Sequence, residues 1–267
     1  MYRLLATDID DTILAPDGSL PEANRRALVQ LHSRGIPVVF SSGRATVSMK
    51  NVIKRILPLA DDEFIISYNG ARVVQAESDR VLFERLIDQE SIREIAAYCR
   101  EYNLLVQGYE PEGFLVEIDD RRSEVYAGEA GMSYRKVDSL AGHLPQGSPK
   151  LLVIADHQEL LRHRGELERL GEGRWRSTFS KPHYLEVMSP GVSKGEALSR
   201  LADHLGIPIG ETVAAGDSQN DREMVETAGL GVAVANARDE LKAVADVVLD
   251  RSAEEGAIEE LVARFFS

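Results

Sequence analysis

The sequence has a single cysteine, Cys99, among its 267 residues. One cysteine closes no intrachain disulfide and builds no cysteine-rich zinc site. Basic residues are also in deficit. Lysine and arginine number 31 against 44 aspartates and glutamates, a formal net charge of −13. That balance argues against a nucleic-acid binder or a membrane-surface binder, which need basic faces. It leaves room for an anionic small substrate, because local cations or a metal reverse the field within one cleft. No apolar run approaches the ~18 residues of a membrane helix. Met1–Asp8 lack the apolar core of a secretory signal, so a cytoplasmic protein is the expectation. The six histidines, His32, His143, His157, His163, His183 and His204, show no close metal-ligand pairing. No internal repeat or low-complexity stretch is visible.

What is present is ordinary for a soluble globular chain: 43% hydrophobic and 28% charged residues. At about 150 residues per domain, one large or two modest domains are expected. Strand-like and helix-like segments alternate, which predicts an α/β fold with a mainly parallel sheet. Leu4–Asp8, Ile36–Phe40 and Phe64–Ile66 read as buried strands. Between the first two, Ser19 and Glu22 read as a capping box, followed by the stripe Ala23, Ala27, Leu28 and Leu31 and a stop at Gly35. The same grammar returns near the C-terminus. Ser193 and Glu196 read as a second capping box, with a helix to Leu205 and a stop at Gly206. Strands at Val213–Ala215, Gly231–Val234 and Val247–Leu249 alternate with helices at Asp221–Ala228, Leu241–Ala245 and Ile258–Phe265.

The middle differs. Strand candidates at 104–107, 113–118, 151–155, 175–179 and 184–188 surround two helices near Ser91–Tyr102 and Gln158–Leu170. Consecutive strands suggest antiparallel pairing, as in an α+β domain. We therefore expect an inserted domain at 83–187, with 1–82 and 188–267 forming one core. Pro190-Gly191-Val192 and Ser78-Asp79 read as linker ends. Cys99 shares a stripe with Ile92, Ile95 and Ala96 and reads as core. Trp175 reads as packing of the inserted domain or as an edge contact.

Four constellations carry chemistry, and each has a plain structural alternative. Asp8-Ile9-Asp10-Asp11-Thr12 follows an apolar strand, where ligands of open α/β sheets bind. Two carboxylates there divide nucleophile or metal-ligand work from proton transfer, or else form a solvated acidic turn. Ser41-Ser42-Gly43-Arg44 offers a hydroxyl, glycine amides and a guanidinium suited to phosphate, or a plain Ser/Gly turn. Lys194 opens a helix against the dipole, a conflict removed by an anion in front of it; the alternative is a solvent-facing lysine. Gly216-Asp217-Ser218-Gln219-Asn220-Asp221 offers hard oxygen ligands for magnesium beside a phosphate, or an Asx-rich helix cap.

Taken in this order, Asp8-x-Asp10-x-Thr12, Ser42-Gly43-Arg44, Lys194 and Gly216-Asp217-x-x-Asn220-Asp221 resemble the haloacid dehalogenase superfamily of phosphohydrolases. More narrowly, they look like its Cof-like sugar-phosphatase branch, whose Asn-Gly substrate loop Tyr68-Asn69-Gly70 also resembles. The long stretch between Arg44 and Lys194 fits that branch's large cap. The resemblance implies a Rossmann-like three-layer α/β/α core with an inserted α+β cap. It implies a Mg2+-dependent phosphatase acting on a small phosphorylated metabolite, as a monomer or homodimer, with no nucleic-acid or membrane partner. Asp8 would attack phosphorus and form an aspartyl-phosphate; Asp10 would protonate the leaving alcohol and then activate water. Ser42 and Lys194 would bind phosphoryl oxygens, and Gly43, Arg44, Asn69, Gly70 and Asn220 would contact substrate. Magnesium would sit among the Asp8 carboxylate, the Asp10 carbonyl and Asp217, with Asn220 and Asp221 completing or orienting its shell. The chain departs from many relatives at Asp11, where they carry glycine. Lys181, His183 and Glu186 are further candidates for facing the cleft on polar character alone, with a surface role as the alternative. Two other readings stay open: a phosphomutase of the same superfamily, and a phosphorylatable or binding module without turnover.

Overall fold

The computed structural model describes residues 2–58, 60 and 62–266. The chain forms two compact units, Met1–Phe83 with Ser193–Ser267, and Glu84–Val192.

The first unit begins with β1 (Leu4–Asp8), α1 (Glu22–Ser33), β2 (Val38–Ser41), α2 (Thr46–Ile53), β3 (Phe64–Ser67), β4 (Arg72–Gln75) and β5 (Val81–Glu84). The second unit supplies α3 (Gln89–Glu101), β6 (Leu105–Glu110), β7 (Gly113–Val116), α4 (Arg121–Ala130), β8 (Ser133–Lys136) and α5 (Leu140–His143). It continues with β9 (Leu151–Ile154), α6 (His157–Gly171), β10 (Arg176–Lys181) and β11 (Tyr184–Met188). The chain then completes the first unit with α7 (Lys194–Leu205), β12 (Thr212–Gly216), α8 (Arg222–Thr227), β13 (Leu230–Ala233), α9 (Asp239–Lys242), β14 (Val247–Val248) and α10 (Ala257–Phe265).

The first unit's sheet runs β14-β13-β12-β1-β2-β3-β4-β5. It is parallel from β14 to β3, and β4 pairs antiparallel with β3. The strands read as unbroken apolar runs because both faces are covered. Leu5, Phe40, Ile65 and Val213 face the helices α1, α2 and α10. The intervening Leu4, Ala6, Val39, Ile66 and Ala214 face α7 and Met224 of α8. This is a three-layer α/β/α core. β1 lies between β2 and β12, so the chain leaves it in one direction and returns on its other side. Such a switch point opens a crevice at the carboxyl ends of the strands.

The Ser19–Glu22 capping box does not form; α1 starts at Glu22 after Pro21, without a side-chain cap. The Ser19 amide instead donates to Asp17 Oδ1 at 2.8 Å, closing an Asx turn before the helix begins. The buried stripe of α1 also includes Asn24. Its amide donates to the Ile13 and Ala253 carbonyls and accepts from the Ile258 N–H, all at 2.9 Å, tying α1 to α10. Ser78-Asp79 is no linker end. It lies in the turn between β4 and β5, with Asp79 at φ 58° and Gln75 N–H donating to the Arg80 carbonyl.

In the second unit, the sheet order is β10-β11-β9-β6-β7-β8. All pairs are antiparallel except β7 with β8, which run parallel. One face carries Val106, Leu115, Val153 and Leu185 against Cys99, Ile92 and Ile95 of α3 and Leu160 and Leu167 of α6. Trp175 is buried there and donates its indole N–H to the Leu167 carbonyl at 2.9 Å. Among the described residues, no helix is long and apolar enough to cross a membrane.

Candidate active site

The site is assembled at the carboxyl ends of β1, β2, β3 and β12. Asp8 closes β1 and is 5% exposed, held in register with Ser41 at the end of β2. Opposite it, α7 begins. Ser193 Oγ accepts from the Glu196 N–H at 3.1 Å and caps the helix, but the reciprocal half of the expected box does not form, since the Glu196 carboxylate accepts from Arg200 Nε at 2.7 Å. Gly195 lets α7 press onto α8; a Cβ there would lie 2.4 Å from the Glu223 carbonyl oxygen. The Lys194 side chain is consequently fully buried. Its ammonium donates to Asp8 Oδ1 and Asp221 Oδ1, each at 2.5 Å, and reaches the Ser41 carbonyl at 3.4 Å.

Asp221 serves two purposes. One carboxylate oxygen meets Lys194. The other accepts the Asp217 and Ser218 N–H groups, both at 3.1 Å, and so caps the turn into α8. The Asx-cap reading of this loop is therefore compatible with a site. Gly216 is needed for the approach, since a Cβ there would lie 2.5 Å from Asp221 Cβ. Asp217 accepts from Thr12 Oγ1 at 3.2 Å, joining the β1 and β12 loops.

One ammonium thus faces three carboxylates. Burial pushes the Asp8 carboxyl well above its ordinary range; Lys194 counters this, while Asp221 and Asp217 add to it. Asp217 is pushed up to about 7, first by burial, then by the charges of Asp221 and Asp11. Burial alone would depress Lys194, but Asp221 and Asp8 more than offset it and hold the ammonium firmly protonated. Oxygens of Asp8, Asp217 and Asp221 lie within 4.8 Å of one another. An all-carboxylate set with excess negative charge fits a hard divalent cation.

Around this centre, Arg44 grips Asp10 with two parallel bonds, Nε to Oδ2 and Nη2 to Oδ1, both 2.7 Å. Ser42 is buried, and its Oγ accepts the Arg44 N–H at 3.2 Å. Asn220 Nδ2 donates to Asn69 Oδ1 at 3.0 Å. A Cβ on Gly43 would come within 3.0 Å of that same oxygen. Gly70, at φ 103°, passes so close to α7 that a Cβ would lie 2.1 Å from the Ser193 carbonyl oxygen. Tyr68 and Asn69 share this turn at φ 53° and 55°. Asp11 also has a left-handed backbone, φ 58°, with its carbonyl accepting from Asn236 Nδ2 at 2.7 Å. This conformation favours glycine and explains why glycine suits the position.

The three remaining candidates belong to the second unit and have partners within it. Lys181 pairs with Glu129 at 2.8 Å, and His183 packs edge-on against Tyr184. Glu186 is buried and pairs with the buried Lys150 at 2.7 Å. The reading from sequence did not single out the Ser41 carbonyl, Asn236 or Lys150. Nothing in their local sequence signals a contact, because their partners come from distant segments.

The fold and site define an α/β enzyme with an acidic, lysine-bridged centre at the carboxyl edge of a doubly wound sheet. The family model for haloacid dehalogenase-like hydrolases matches residues 5–261, and the chain belongs to that family. Among curated proteins, it is similar to the HMP-PP phosphatase of Cronobacter sakazakii, 33% identical over 244 residues, covering 91% of this chain and 88% of that one. The HMP-PP phosphatase of Yersinia pseudotuberculosis is 30% identical over 243 residues, covering 91% and 87%. Among solved structures, a haloacid dehalogenase-like hydrolase from Bacteroides thetaiotaomicron superposes with a TM-score of 0.89 at 27% identity over 99% of both chains. A Thermotoga maritima protein gives 0.90 at 31% identity, over 99% of this chain and 97% of that one.

Proposed function

We propose that the protein is a Mg2+-dependent phosphatase that hydrolyses a phosphate ester of a small metabolite through an aspartyl-phosphate on Asp8. The observation that carries this reading is the buried ammonium of Lys194 set between Asp8 and Asp221, beside Asp217. An anionic nucleophile meeting an anionic phosphate needs positive charge between them, and phosphoryl transfer depends chiefly on positioning and charge neutralisation. Asp8, Asp217 and the Asp10 carbonyl would hold magnesium, with Asp221 and Asn220 orienting the shell. When bound, the ion neutralises charge between nucleophile and substrate.

The residues then divide the work. An Asp8 oxygen attacks phosphorus, and the bond from phosphorus to the leaving oxygen breaks. Asp10 gives that oxygen a proton. It next takes a proton from water as the water oxygen attacks the aspartyl-phosphate, which releases inorganic phosphate and restores Asp8. Arg44 is bonded to both Asp10 carboxylate oxygens, so one of these bonds has to open for Asp10 to carry the proton it gives, while the other keeps the carboxyl oriented. Ser42 and Lys194 bind phosphoryl oxygens, and the loop of Gly43, Asn69, Gly70 and Asn220 borders the substrate.

The test is phosphate release from a panel containing hexose, pentose and cofactor-precursor phosphates together with HMP-PP, with and without Mg2+. Asp8→Asn is expected to lose at least about a thousandfold in kcat with its fold intact. Equal release by Asp8→Asn would overturn the reading. Product that retains the phosphoryl group, formed only with a bisphosphate activator, would move the assignment to a mutase.

A further inference from the structure

A second cluster lies at the other end of the same sheet. β3 has four residues, so roughly 13 Å of strand separates its two ends. Its carboxyl end leads into the Tyr68–Gly70 turn beside the acidic site; its amino end is preceded by Glu63. There, α1 finishes with His32 in its last turn. The Glu63 side chain is 1% exposed. One of its oxygens, Oε1, contacts His32 Nδ1. The other, Oε2, is buried with no hydrogen-bond partner. The backbone on either side is fixed: the Glu63 carbonyl accepts from the Ala76 N–H at 3.0 Å, and its N–H donates to the Ala60 carbonyl. Asp62 brings a third group, and one ligand atom from each of His32, Asp62 and Glu63 lies within 4.8 Å of the others.

A hydrogen bond between His32 and Glu63 uses one carboxylate oxygen and leaves the buried Oε2 unpaired. Native structures seldom tolerate this without a water or ion. A cation shared by the three side chains uses the charge that such a pair leaves unanswered. His32 is partly exposed and Asp62 exposed, which gives an ion a route in. An imidazole with two carboxylates differs from the all-oxygen set at Asp8. It suits Zn2+ and neighbouring transition ions, whereas oxygen-only ligands suit magnesium. We propose that His32, Asp62 and Glu63 form a second metal site that takes a divalent first-row transition ion such as Zn2+. This ion joins the end of α1 to the start of β3 and takes no part in the chemistry at Asp8.

The test is equilibrium dialysis of the metal-free full chain against Zn2+ in millimolar Mg2+, with metal analysis and 15N NMR of the imidazoles. Wild type is expected to retain one Zn2+ per chain and to shift the His32 ring nitrogens. His32→Gln is expected to weaken retention by about ten- to a hundredfold. Asp62→Asn, an exposed change that leaves the core untouched, weakens it several-fold. Asp217→Asn leaves it unchanged. Phosphate release by His32→Gln in Mg2+ stays at the wild-type rate. Zn2+ retention equal in wild type, His32→Gln and Asp62→Asn would overturn the proposal. So would retention lost in Asp217→Asn, which places the ion at Asp8, or no retention at all.

Discussion

Among the described residues, two lysines are buried against carboxylates, one in each unit, and they make different local arrangements. In the second unit, Lys150 and Glu186 are 3% and 5% exposed and meet at 2.7 Å, with the Lys150 ammonium also over the Tyr109 ring. Burial depresses Lys150, and the charge and hydrogen bond of Glu186 together with Tyr126 outweigh it. In the first unit, Lys194 meets two carboxylates at 2.5 Å, and a third stands beside them. Burial alone therefore does not distinguish the two lysines. What sets Lys194 apart is a surplus of buried negative charge that one ammonium leaves unanswered. Such a surplus is costly in an empty protein and is relieved when a cation arrives. A matched pair, by contrast, serves to hold neighbouring strands together, here β11 and the chain entering β9.

The largest effects should separate the two lysines. Lys194→Met is expected to abolish measurable turnover. Lys150→Met is expected to destabilise the fold by about 3–5 kcal/mol, because Glu186 is left buried without its cation. Adding Glu186→Leu to Lys150→Met should recover most of that loss in urea unfolding. A double change at Lys194 and Asp221 that recovered stability and also kept turnover would erase the distinction.

The next effect concerns pH. Asp217 is pushed up to about 7. Between its ordinary carboxylate value and about 7, the folded protein holds a proton that the unfolded chain releases. The metal-free protein therefore loses this contribution to stability as pH rises across that window. On the proposed function, metal binding has the opposite sign, since the ion would need Asp217 deprotonated. Affinity for Mg2+ should rise with pH through about 7, Asp217 contributing at most tenfold per unit, and Asp8, held well above its ordinary range, should extend the rise. Calorimetric titration of wild type and Asp217→Asn checks this; a profile unchanged in the variant would assign the proton elsewhere.

The smallest effect is at Asp11. Asp11→Gly should relieve a left-handed aspartate and raise stability by up to about 1 kcal/mol. It should retain activity, and it should lower the apparent pKa of the site because the Asp11 charge helps to raise Asp217. A loss of turnover as deep as that of Asp8→Asn would make Asp11 part of the chemistry.

Much of the fold was legible where burial imposes a pattern. Leu4–Asp8 and Phe64–Ser67 are strands covered on both faces, and α7 carries both its cap and its stop in its own sequence. Elements with weak patterns escaped. In α4, only Ser123 is buried, so no apolar stripe announces the helix. α2 opens with Thr46 and Val47 and has no side-chain cap. β5 is a short edge strand with Val81 exposed at 45%, and β4 has only four residues. The Ser19 signal misled because a serine three residues before a glutamate caps a helix only if the backbone turns there. Pro21 and the Asp17 turn moved the start to Glu22.

For the site, the sequence by itself determined the chemistry available at each strand end: carboxylates after β1 and β12, a hydroxyl and glycine after β2, and a lysine at the head of α7. Those are local facts, set by residue type and spacing, and they also carried the family resemblance. Only the tertiary structure decided who meets whom. Lys194 lies 186 residues from Asp8 and 27 from Asp221, and it reaches both because α7 packs over the sheet edge. Arg44 turns to Asp10 across 34 residues, and His32 meets Glu63 across 31. Charges have no fixed partner along a flexible chain. They acquire one only when burial and strand register remove the water that would otherwise screen them.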